Sequence, residues 1–367
     1  MCHGPLGKRL VVRSNGRKVR VLNQKLTFVV GTGRCGSTAL SQVINLHPDV
    51  LSVNELFASI PDSKALAEAP LSGPEFWGYL SRPNAATNSL IKKGAIPPEF
   101  LYHRLPKRRF DARTTGIPAV SVMTLPHLTD DPDTVFDELE SEVASWPTRR
   151  PADHWAAFFA TLAARFGNPG AVVERSGMSL GRVTDMHRAF PEARFVHLYR
   201  EGPDCAVSMS RHISFRMLPL GWEMAIRCGL ESPFELTPEH AAQLPPDLAP
   251  LLGDEWDPAL VMDRPIPLPA FGGLWSRMIE DGLRRLEAVP AAQRTALSYE
   301  TLLEEPEKEL TRLAEFIGVG SPRDWVDAST ALLDGDRRGA AQELSDEESA
   351  ALLESCKPGM LALAAHP

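Results

Sequence analysis

A chain of 367 residues is long enough for one large α/β domain or for two smaller ones. Its 43% hydrophobic and 23% charged residues are typical of a globular protein, and its net charge of −8 argues against broad nucleic-acid binding, which normally uses a basic domain. The 5 cysteines are odd in number and far apart, so they predict neither a disulfide framework nor a zinc site, and we expect no metal.

The first residues lack the apolar segment that a signal peptide needs, and the basic stretch 13–20 follows them directly. The sequence also lacks a run that approaches the ~18 consecutive apolar residues of a transmembrane helix. Together with the cysteine usage, these features predict a reduced, cytoplasmic protein without a membrane span.

The first predicted elements lead into a buried strand. Asn15-Gly16, within 8–30, predicts a small hairpin because Asn-Gly is a strong signal for a two-residue turn. Residues 26–30 form a short continuous apolar run, as expected for a strand covered on both faces. Residues 37–46 have apolar side chains at helical spacing, and His47-Pro48 should end this helix because the residue before proline disfavours the α conformation.

Further along the chain, short apolar runs alternate with helical patterns. The predicted strands are 171–174, 194–199 and 296–299, and the predicted helices are 74–80, 133–145, 154–166, 181–190, 203–211 and 274–288, with helical structure continuing to about 354. This alternation predicts an α/β fold, a parallel β-sheet flanked by helices, with ligands at the carboxyl ends of the strands. We interpret 1–367 as a single domain with a core of 24–60, 154–211 and 271–335.

Two insertions interrupt this core, at about 61–153 and 212–270. The first is predicted to be a helical insertion over the active site. The second is rich in proline and large apolar residues, and we expect a long irregular segment that serves function rather than a linker.

A glycine-rich loop follows the first core strand. Gly31 and Gly36 have the spacing of a nucleotide P-loop, whose backbone N–H groups and following helix bind phosphate. The standard signature G-x-x-x-x-G-K-[ST] has a lysine where this chain has Ser37, and a cation stands instead at Arg34. The loop therefore favours a phosphate that is held rather than transferred. An ordinary glycine turn between strand and helix is the alternative.

Three blocks resemble the sulfotransferases that use 3′-phosphoadenosine 5′-phosphosulfate (PAPS). Residues 34–38, Arg-Cys-Gly-Ser-Thr, resemble the R-S-G-T-T loop that grips the 5′-phosphosulfate. Residues 194–208 resemble the 3′-phosphate site, and 297–318 resemble the Y-E-D-L…P…L…F-L-G segment. The resemblance implies a P-loop-like sulfotransferase fold with helical insertions, PAPS as the sulfuryl donor and 3′-phosphoadenosine 5′-phosphate (PAP) as the product.

The resemblance also implies which residues bind this cofactor. They are Gly33, Arg34, Cys35, Gly36, Ser37, Thr38, Arg200, Ser208, Tyr299 and Arg338. Arg200 and Ser208 would hold the 3′-phosphate, and Arg338 would be a late phosphate contact. The alternatives to cofactor binding are that Arg34 is a solvated loop residue and that Tyr299 only packs in the core. Cys35 and Cys205 are interpreted as small loop residues rather than nucleophiles.

Sulfuryl transfer needs a base for the acceptor proton and cations for the developing charge. Residues 47–55 resemble the tyrosylprotein sulfotransferases and some bacterial sulfotransferases, in which a glutamate at the position of Glu55 is the base. His47 is the rival base, and the alternative for Glu55 is that it only caps a helix or pairs with an arginine. Arg175 stands where the family usually has a lysine that steadies the leaving oxygen, and an ion pair with Glu174 or another carboxylate is its alternative role. The implied catalytic residues are thus Glu55, Arg175 and Arg34.

The acceptor is expected to be a small molecule with a hydroxyl or an amine. The proline- and tryptophan-rich segment 212–270 suggests a partly apolar pocket, for a natural product, a lipid or a carbohydrate-bearing metabolite of secondary metabolism. A degenerate P-loop kinase and a non-catalytic nucleotide-binding protein are the alternative functions. The number of subunits, and whether the acceptor is free or carrier-bound, stay open at this stage.

Overall fold

Seven β-strands lie in the part of the chain that the computed structural model describes, which is residues 12–14, 17–19, 24–60, 63–253, 256–333 and 339–366. The strands are β1 (Val12–Ser14), β2 (Arg17–Val19), β3 (Lys25–Val30), β4 (Val50–Asn54), β5 (Ala171–Arg175), β6 (Arg194–Tyr199) and β7 (Arg294–Ser298). β1 and β2 pair antiparallel, as the predicted hairpin requires, and the Asn15-Gly16 turn lies outside the described residues. The other five strands form a parallel sheet in the order β4-β5-β3-β6-β7.

Helices connect the strands and cover the sheet. Their bounds in the described residues are α1 (Ser37–Asn45), α2 (Leu56–Ser59), α3 (Gly73–Ser81), α4 (Ala85–Lys92), α5 (Ala119–Val122), α6 (Thr124–Leu128), α7 (Pro132–Ala144), α8 (Pro151–Arg165), α9 (Val183–Ala189), α10 (Gly202–Ser210), α11 (Ile213–Arg227), α12 (Ala259–Met262), α13 (Leu268–Leu286), α14 (Tyr299–Glu304), α15 (Pro306–Ile317), α16 (Arg323–Leu332) and α17 (Asp346–Ala365).

The sheet is buried on both faces, and alternate residues of β3 serve different cores. Phe28 and Val30 belong to the core that contains α8, α9, α10 and α13. Val29 belongs to the core that contains α1, α15 and α16. Successive side chains of a strand point to opposite faces, so a continuous apolar run is what a two-sided parallel sheet requires. The predicted α/β class and the parallel sheet flanked by helices are confirmed.

The carboxyl ends of the strands meet at one edge of the sheet. Arg175 pairs in register with Val29 of β3 on one side and with Asn54 of β4 on the other. β6 pairs with β3 on the far side of that strand. The loops that follow these strands therefore leave the sheet side by side, which brings distant parts of the sequence to a single site.

The structure corrects three predictions about elements. β4 was not predicted, although all five of its residues are buried. Segment 212–270 is irregular only in part, because α11 occupies its first part and buries Leu220 and Met224 in spite of Pro219 within the helix, whereas the described residues between α11 and α13 contain only short turns and α12. The C-terminal part is not continuously helical to 354, because Gly318 ends α15 in the left-handed conformation and the last helix, α17, runs on to Ala365.

Helices α13 and α17 approach each other closely through glycine. A Cβ added at Gly359 would lie 2.7 Å from the Trp275 ring and 2.8 Å from the Ser276 Cα. The Gly359 N–H also donates a hydrogen bond to Ser276 Oγ at 3.2 Å. The second contact is with backbone, so it cannot be relieved by turning a side chain.

We predict that Gly359→Ala lowers the free energy of unfolding by about 1–3 kcal/mol, the usual cost of overpacking. Helix propensity alone would favour alanine by up to ~1 kcal/mol, so a net loss identifies the close packing. Urea denaturation measures the effect. Gly181→Ala is the control, because an added Cβ there meets no described atom within 4 Å. Equal stability of the Gly359→Ala variant and the parent would contradict the prediction.

Candidate active site

The glycine-rich loop turns sharply between β3 and α1. Gly33, Arg34 and Gly36 have positive φ values of 78°, 60° and 88°. Only glycine fits at position 36, because an added Cβ would lie 2.1 Å from the Tyr299 ring. This turn aims the N-terminus of the nine-residue α1, whose first turn contains no acidic residue, at the edge of the sheet. Backbone N–H groups and the helix dipole make such an end favourable for an anion.

A small cavity of about 170 Å³ lies at this helix end. Its walls include Arg34, Gly36, Ser37, Thr38, Arg200, Ser208 and Tyr299. The cavity thus brings together residues from all three sequence blocks. The Arg34 Nε–H donates a hydrogen bond to Ser208 Oγ at 3.1 Å, which joins the first block to the second in the cavity wall.

Arg200 is held by two neighbours. Its Nη2 atom lies 2.9 Å from Asp204 Oδ2, and its guanidinium lies 5.4 Å from the centre of the Tyr299 ring. Asp204 also accepts hydrogen bonds from the backbone N–H groups of Gly339 and Ala341, at 2.8 and 2.9 Å. Residues 339–341 are therefore linked to Arg200 through Asp204. Arg338, predicted as a phosphate contact, lies outside the described residues.

A larger cavity of about 650 Å³ adjoins the same loop. Gly33, Arg34, Ser37, Thr38 and Glu55 line it from the core of the fold. The rest of its wall comes from 58–123, 177–178 and 212–256, which include parts of both insertions. Arg34, Ser37 and Thr38 belong to the walls of both the small and the large cavity.

Glu55 lies at the carboxyl end of β4 with a left-handed backbone, at φ 56°. Its side chain forms a buried ion pair with Arg175, and its Oε2 atom accepts a hydrogen bond from the Gly177 N–H at 2.8 Å. Arg175 Nη2 also donates to Asn54 Oδ1 at 3.3 Å. Arg175 is absent from the described walls of both cavities and lies behind Glu55. Its partner carboxylate is therefore Glu55 rather than Glu174.

Backbone strain is concentrated at the large cavity. In the described part of the chain, four residues other than glycine have positive φ, and three of them line this cavity: Arg34, Glu55 and Met178. Such conformations cost of order 1–3 kcal/mol each and cluster at functional sites. The strain therefore supports a functional role for this edge of the sheet.

Glu174 is a buried carboxyl next to Glu55 that the sequence analysis did not identify as a site residue. Burial raises its pKa to about 7, and the charge of Glu55 acts in the same direction. Its Oε1 atom accepts a hydrogen bond from Ser176 Oγ at 2.5 Å, and Ser176 Oγ accepts from the Phe57 N–H at 3.0 Å. These bonds fix the first turn of α2, directly after Glu55.

The rival base, His47, is fully engaged elsewhere. Its Nε2 atom lies 2.8 Å from the Gly320 carbonyl oxygen, and its Nδ1 atom accepts from the Asp49 N–H at 3.1 Å. Its ring packs edge-on against Trp325, with the ring centres 4.6 Å apart. His47 is absent from the described walls of both cavities, which favours a structural role.

The two loop cysteines are buried, and Cys205 contacts the glycine-rich loop. The Cys205 thiol donates to the Gly33 carbonyl at 3.5 Å, and Cys35 is absent from the described cavity walls. Burial raises the pKa of both thiols. Both therefore stay protonated at neutral pH, which agrees with their interpretation as small loop residues.

Two further properties concern only the residues that the structure describes. Among them, no group of three or more His, Cys, Asp or Glu side chains is arranged to hold a metal ion. Within the same residues, none of the helices combines the length and the apolar character needed to cross a membrane.

Residues 27–231, more than half of the chain, match the sequence profile of the Sulfotransferase family. This chain belongs to that family. The matched segment contains the glycine-rich loop, Glu55, Arg175, Arg200 and Ser208. Among curated proteins, no sequence matches this sulfotransferase.

Solved structures similar to this sulfotransferase include three from bacterial or biosynthetic sources. The sulfotransferase domain of the Synechococcus PCC 7002 olefin synthase is 14% identical, with a TM-score of 0.45 over 91% of this chain and 94% of that one. The sulfotransferase domain from the curacin biosynthetic pathway is 16% identical, with a TM-score of 0.43 over 88% and 83%. A sulfotransferase from Alicyclobacillus acidocaldarius is 16% identical, with a TM-score of 0.38 over 93% and 94%.

We predict that the stability of the sulfotransferase falls between about pH 4.5 and pH 7 through Glu174. Its pKa is 4.5 in the unfolded chain and about 7 in the folded one, so folding takes up a proton in this range. The contribution of protonated Glu174 to the free energy of unfolding is complete below pH 4.5 and is lost as the pH rises through 7. At about 1.4 kcal/mol per pKa unit, it amounts to about 3 kcal/mol.

Urea denaturation at pH 5 and pH 8 tests this prediction. The parent should lose more stability between the two values than Glu174→Gln, whose amide does not titrate. Glu315→Gln, on the exposed face of α15, should behave like the parent. The same pH dependence in the parent and in Glu174→Gln would contradict the assignment.

Proposed function

We propose that this sulfotransferase uses PAPS as its sulfuryl donor and transfers the sulfuryl group to a hydroxyl or an amine of a small-molecule acceptor, with Glu55 as general base. The observation that carries this proposal is the small cavity. It combines the N-terminus of α1 and Arg34 at one end with Arg200 and Ser208, so that donors for two phosphate groups surround one space.

The same cavity favours PAPS over ATP. A kinase loop needs a lysine that reaches the β- and γ-phosphates, and Ser37 occupies that position here. Arg200 and Ser208, by contrast, suit a 3′-phosphate, which PAPS has and ATP lacks. The buried position of Arg200, against Asp204 and Tyr299, supports a role as a preorganised anion contact rather than a solvated surface charge.

In the proposed reaction, the acceptor lies in the large cavity and its oxygen or nitrogen attacks sulfur in line with the leaving phosphate. A new bond forms between the acceptor atom and sulfur as the bond from sulfur to the phosphate oxygen breaks. The acceptor proton passes to the Glu55 carboxylate, and the bonding electron pair leaves with the phosphate of PAP. Arg34 and the α1 N-terminus stabilise the charge that develops on the leaving group.

Arg175 acts through Glu55 in this proposal. The ion pair orients the carboxylate at the cavity wall, and the Gly177 N–H fixes its second oxygen. A carboxylate oxygen has lone pairs for more than one hydrogen bond, so Oε2 can still accept the acceptor proton. Arg175 is thus a positioning residue, and the role of the family lysine on the leaving oxygen is assigned to Arg34 and the helix end.

We expect Arg200→Gln to weaken PAP binding by one to two orders of magnitude, because a charge-assisted hydrogen bond is worth about 1.5–3 kcal/mol. Calorimetric titration with PAP measures the effect. Arg194→Gln is the matched control, because Arg194 begins the same strand, β6, and donates to the Phe316 carbonyl far from the cavity. Unchanged affinity in folded Arg200→Gln, or ATP bound by the parent as tightly as PAP, would contradict the donor assignment.

We expect Glu55→Gln to lose turnover by about 10²–10⁴-fold, the usual cost of removing a general base. PAP should bind to this variant about as well as to the parent, since Glu55 lines the large cavity and is not among the described walls of the small one. Turnover is followed with radiolabelled PAPS and a panel of hydroxyl and amine acceptors. His47→Gln is the control and should keep its activity. Substantial turnover by Glu55→Gln would remove Glu55 from the mechanism.

A further inference from the structure

A third space lies beside the large cavity, and we call it the outer groove. It measures about 1020 Å³ and is lined by residues within 83–93, by 112–116 and by 256–257. Ser89, Lys93 and Trp256 belong to the walls of both the outer groove and the large cavity. A ligand in the large cavity can therefore extend past these residues into the outer groove. No residue of the described groove wall belongs to a block that resembles the family.

Helix α4 separates the two spaces and presents a different face to each. Asn88 and Lys92 line only the outer groove, whereas Thr87 and Leu90 line only the large cavity. Residues three or four positions apart share one face of a helix, so the two pairs point in different directions. The described wall of the large cavity is mostly apolar and includes Leu90, Phe100, Met123, Phe215, Met217 and Leu251. The outer groove, by contrast, is lined by charged side chains and hydroxyl groups.

Contacts between its two sides fix the shape of the outer groove. Asp111 Oδ1 accepts a hydrogen bond from the Arg113 N–H at 2.8 Å, which closes the turn that lines one side. Gly116 of the same turn, at φ 70°, packs so closely on Pro83 that an added Cβ would lie 2.5 Å from the proline ring. Arg113 Nη2 donates to the Lys92 carbonyl at 2.6 Å, which joins the turn to the end of α4. Arg113 and Lys92 therefore lie at the same end of the groove.

These two residues are cations without an ion pair in the part of the chain that the structure describes. The Lys92 side chain is exposed and forms neither a hydrogen bond nor an ion pair there. The Arg113 guanidinium donates to the neutral Lys92 carbonyl, and a guanidinium has five N–H groups in all. Lys93 is a third cation of the groove wall, and its ammonium group lies 4.6 Å from the centre of the Trp256 ring. The end of the groove at Lys92 and Arg113 thus has donors available for an anion.

One carboxylate opposes these cations in the described wall. Asp257 is that residue, and its Oδ1 atom accepts from the Ala259 N–H at 2.9 Å, at the start of α12. Asp111 is absent from the described wall, and its Oδ1 atom accepts from backbone N–H groups of its own turn. Asp254 and Glu255 lie outside the described residues. The described wall therefore has three cations for one carboxylate, and this balance favours an anionic ligand.

We propose that the acceptor is an extended molecule with an oxyanion, a carboxylate or a phosphate, at its far end. The oxyanion binds to Lys92 and Arg113 in the outer groove, the apolar middle lies in the large cavity, and the hydroxyl or amine at the other end meets Glu55. Arg113 offers a planar fork and Lys92 a point charge, and both suit such oxygens. The proposal rests on the proposed function, because it takes the large cavity as the acceptor site. Lys92 and Arg113 are then specificity-determining residues that affect binding of the acceptor and not of PAP.

Equilibrium dialysis with two matched series of probes tests the outer groove. One series runs from 8-hydroxyoctanoate to 14-hydroxytetradecanoate, and the other contains the α,ω-diols of the same lengths, so each pair differs in one carboxylate. PAP is present at saturation, so that it occupies the small cavity and contacts Arg34, where a carboxylate could otherwise bind. The long acids should bind about two- to tenfold more tightly than their diols, as expected for exposed ion pairs. The preference should fall with added salt, and with decreasing length because a short chain cannot span both spaces.

Lys92→Gln/Arg113→Gln should lower the preference for the long acids to about one, whereas binding of the diols should stay unchanged. Arg104→Gln/Lys107→Gln is the matched control, because it removes two exposed cations of the same insertion that are absent from the described walls of both spaces. A second variant, Lys92→Glu/Arg113→Gln, should favour 14-aminotetradecan-1-ol over 14-hydroxytetradecanoate. Circular dichroism shows that the variants are folded without reference to PAP.

PAP binding is measured separately, so that the outer groove and the proposed donor can fail independently. In a parent that does not bind PAP, a preference for the acids that is lost in Lys92→Gln/Arg113→Gln still supports the groove, while the donor assignment fails. In a parent that binds PAP, the absence of any preference for the acids leaves the donor assignment intact and removes the groove from acceptor binding.

Three results would overturn the proposal. Equal binding of the acids and the diols to the parent, or no binding of either, would show that the groove does not recognise a charge on the acceptor. An undiminished preference in Lys92→Gln/Arg113→Gln would show that the carboxylate binds elsewhere. Inorganic phosphate that binds to the parent as tightly as the longest acid, and not to this variant, would show that the groove holds a free anion rather than one end of the acceptor.

Discussion

The buried ion pair of Glu55 and Arg175 joins the ends of two neighbouring strands, and the geometry of the site depends on it. Taking two charges out of water costs several kcal/mol per ion, and their attraction repays this only when further hydrogen bonds satisfy both groups. Asn54 and the Gly177 N–H supply such bonds here, although the Arg175 Nε–H is buried without a hydrogen-bond partner among the described residues. The pair therefore requires the register in which Asn54 lies beside Arg175, and this register determines where the loops after β4 and β5 begin.

A second network supports the pair from behind. Glu174 and Ser176 hold the backbone of Phe57, and the Glu55 N–H donates to the Arg175 carbonyl at 2.7 Å. The left-handed backbone of Glu55 is thus held on both sides. A side chain at such a turn has few alternative positions, which suits a group that must face a reacting atom with little reorganisation.

The sequence predicted the parts of the fold and site in which neighbours along the chain act together. The strand, glycine turn and helix of 26–46 are local, and Arg200 and Ser208 lie at a separation that one strand end and one helix can bridge. Strand β4 was missed because five residues with two polar members carry little periodic signal. Asp204 could have been identified from the sequence as the partner of Arg200, because it lies four residues further along the chain, a separation at which opposite charges form ion pairs.

The parts that the sequence could not predict depend on contacts between distant segments. Arg113 lies in the first insertion and Trp256 in the second, so only the folded chain brings them to the outer groove. The partner of Arg175 was also ambiguous in sequence. Glu174 is its neighbour in the chain, but adjacent residues of a strand point to opposite faces, and the carboxylate across the sheet edge is the one that Arg175 reaches.

The wall shared by the small and the large cavity has a thermodynamic consequence. Arg34, Ser37 and Thr38 face both spaces, so a ligand in one space alters the surface that the other ligand contacts. Occupancies that share contact residues are energetically linked, and linkage is reciprocal: the factor by which the first ligand changes the affinity of the second is the factor by which the second changes that of the first. Arg34 contacts both spaces and donates a hydrogen bond to Ser208, so it is the residue through which the two affinities would be linked.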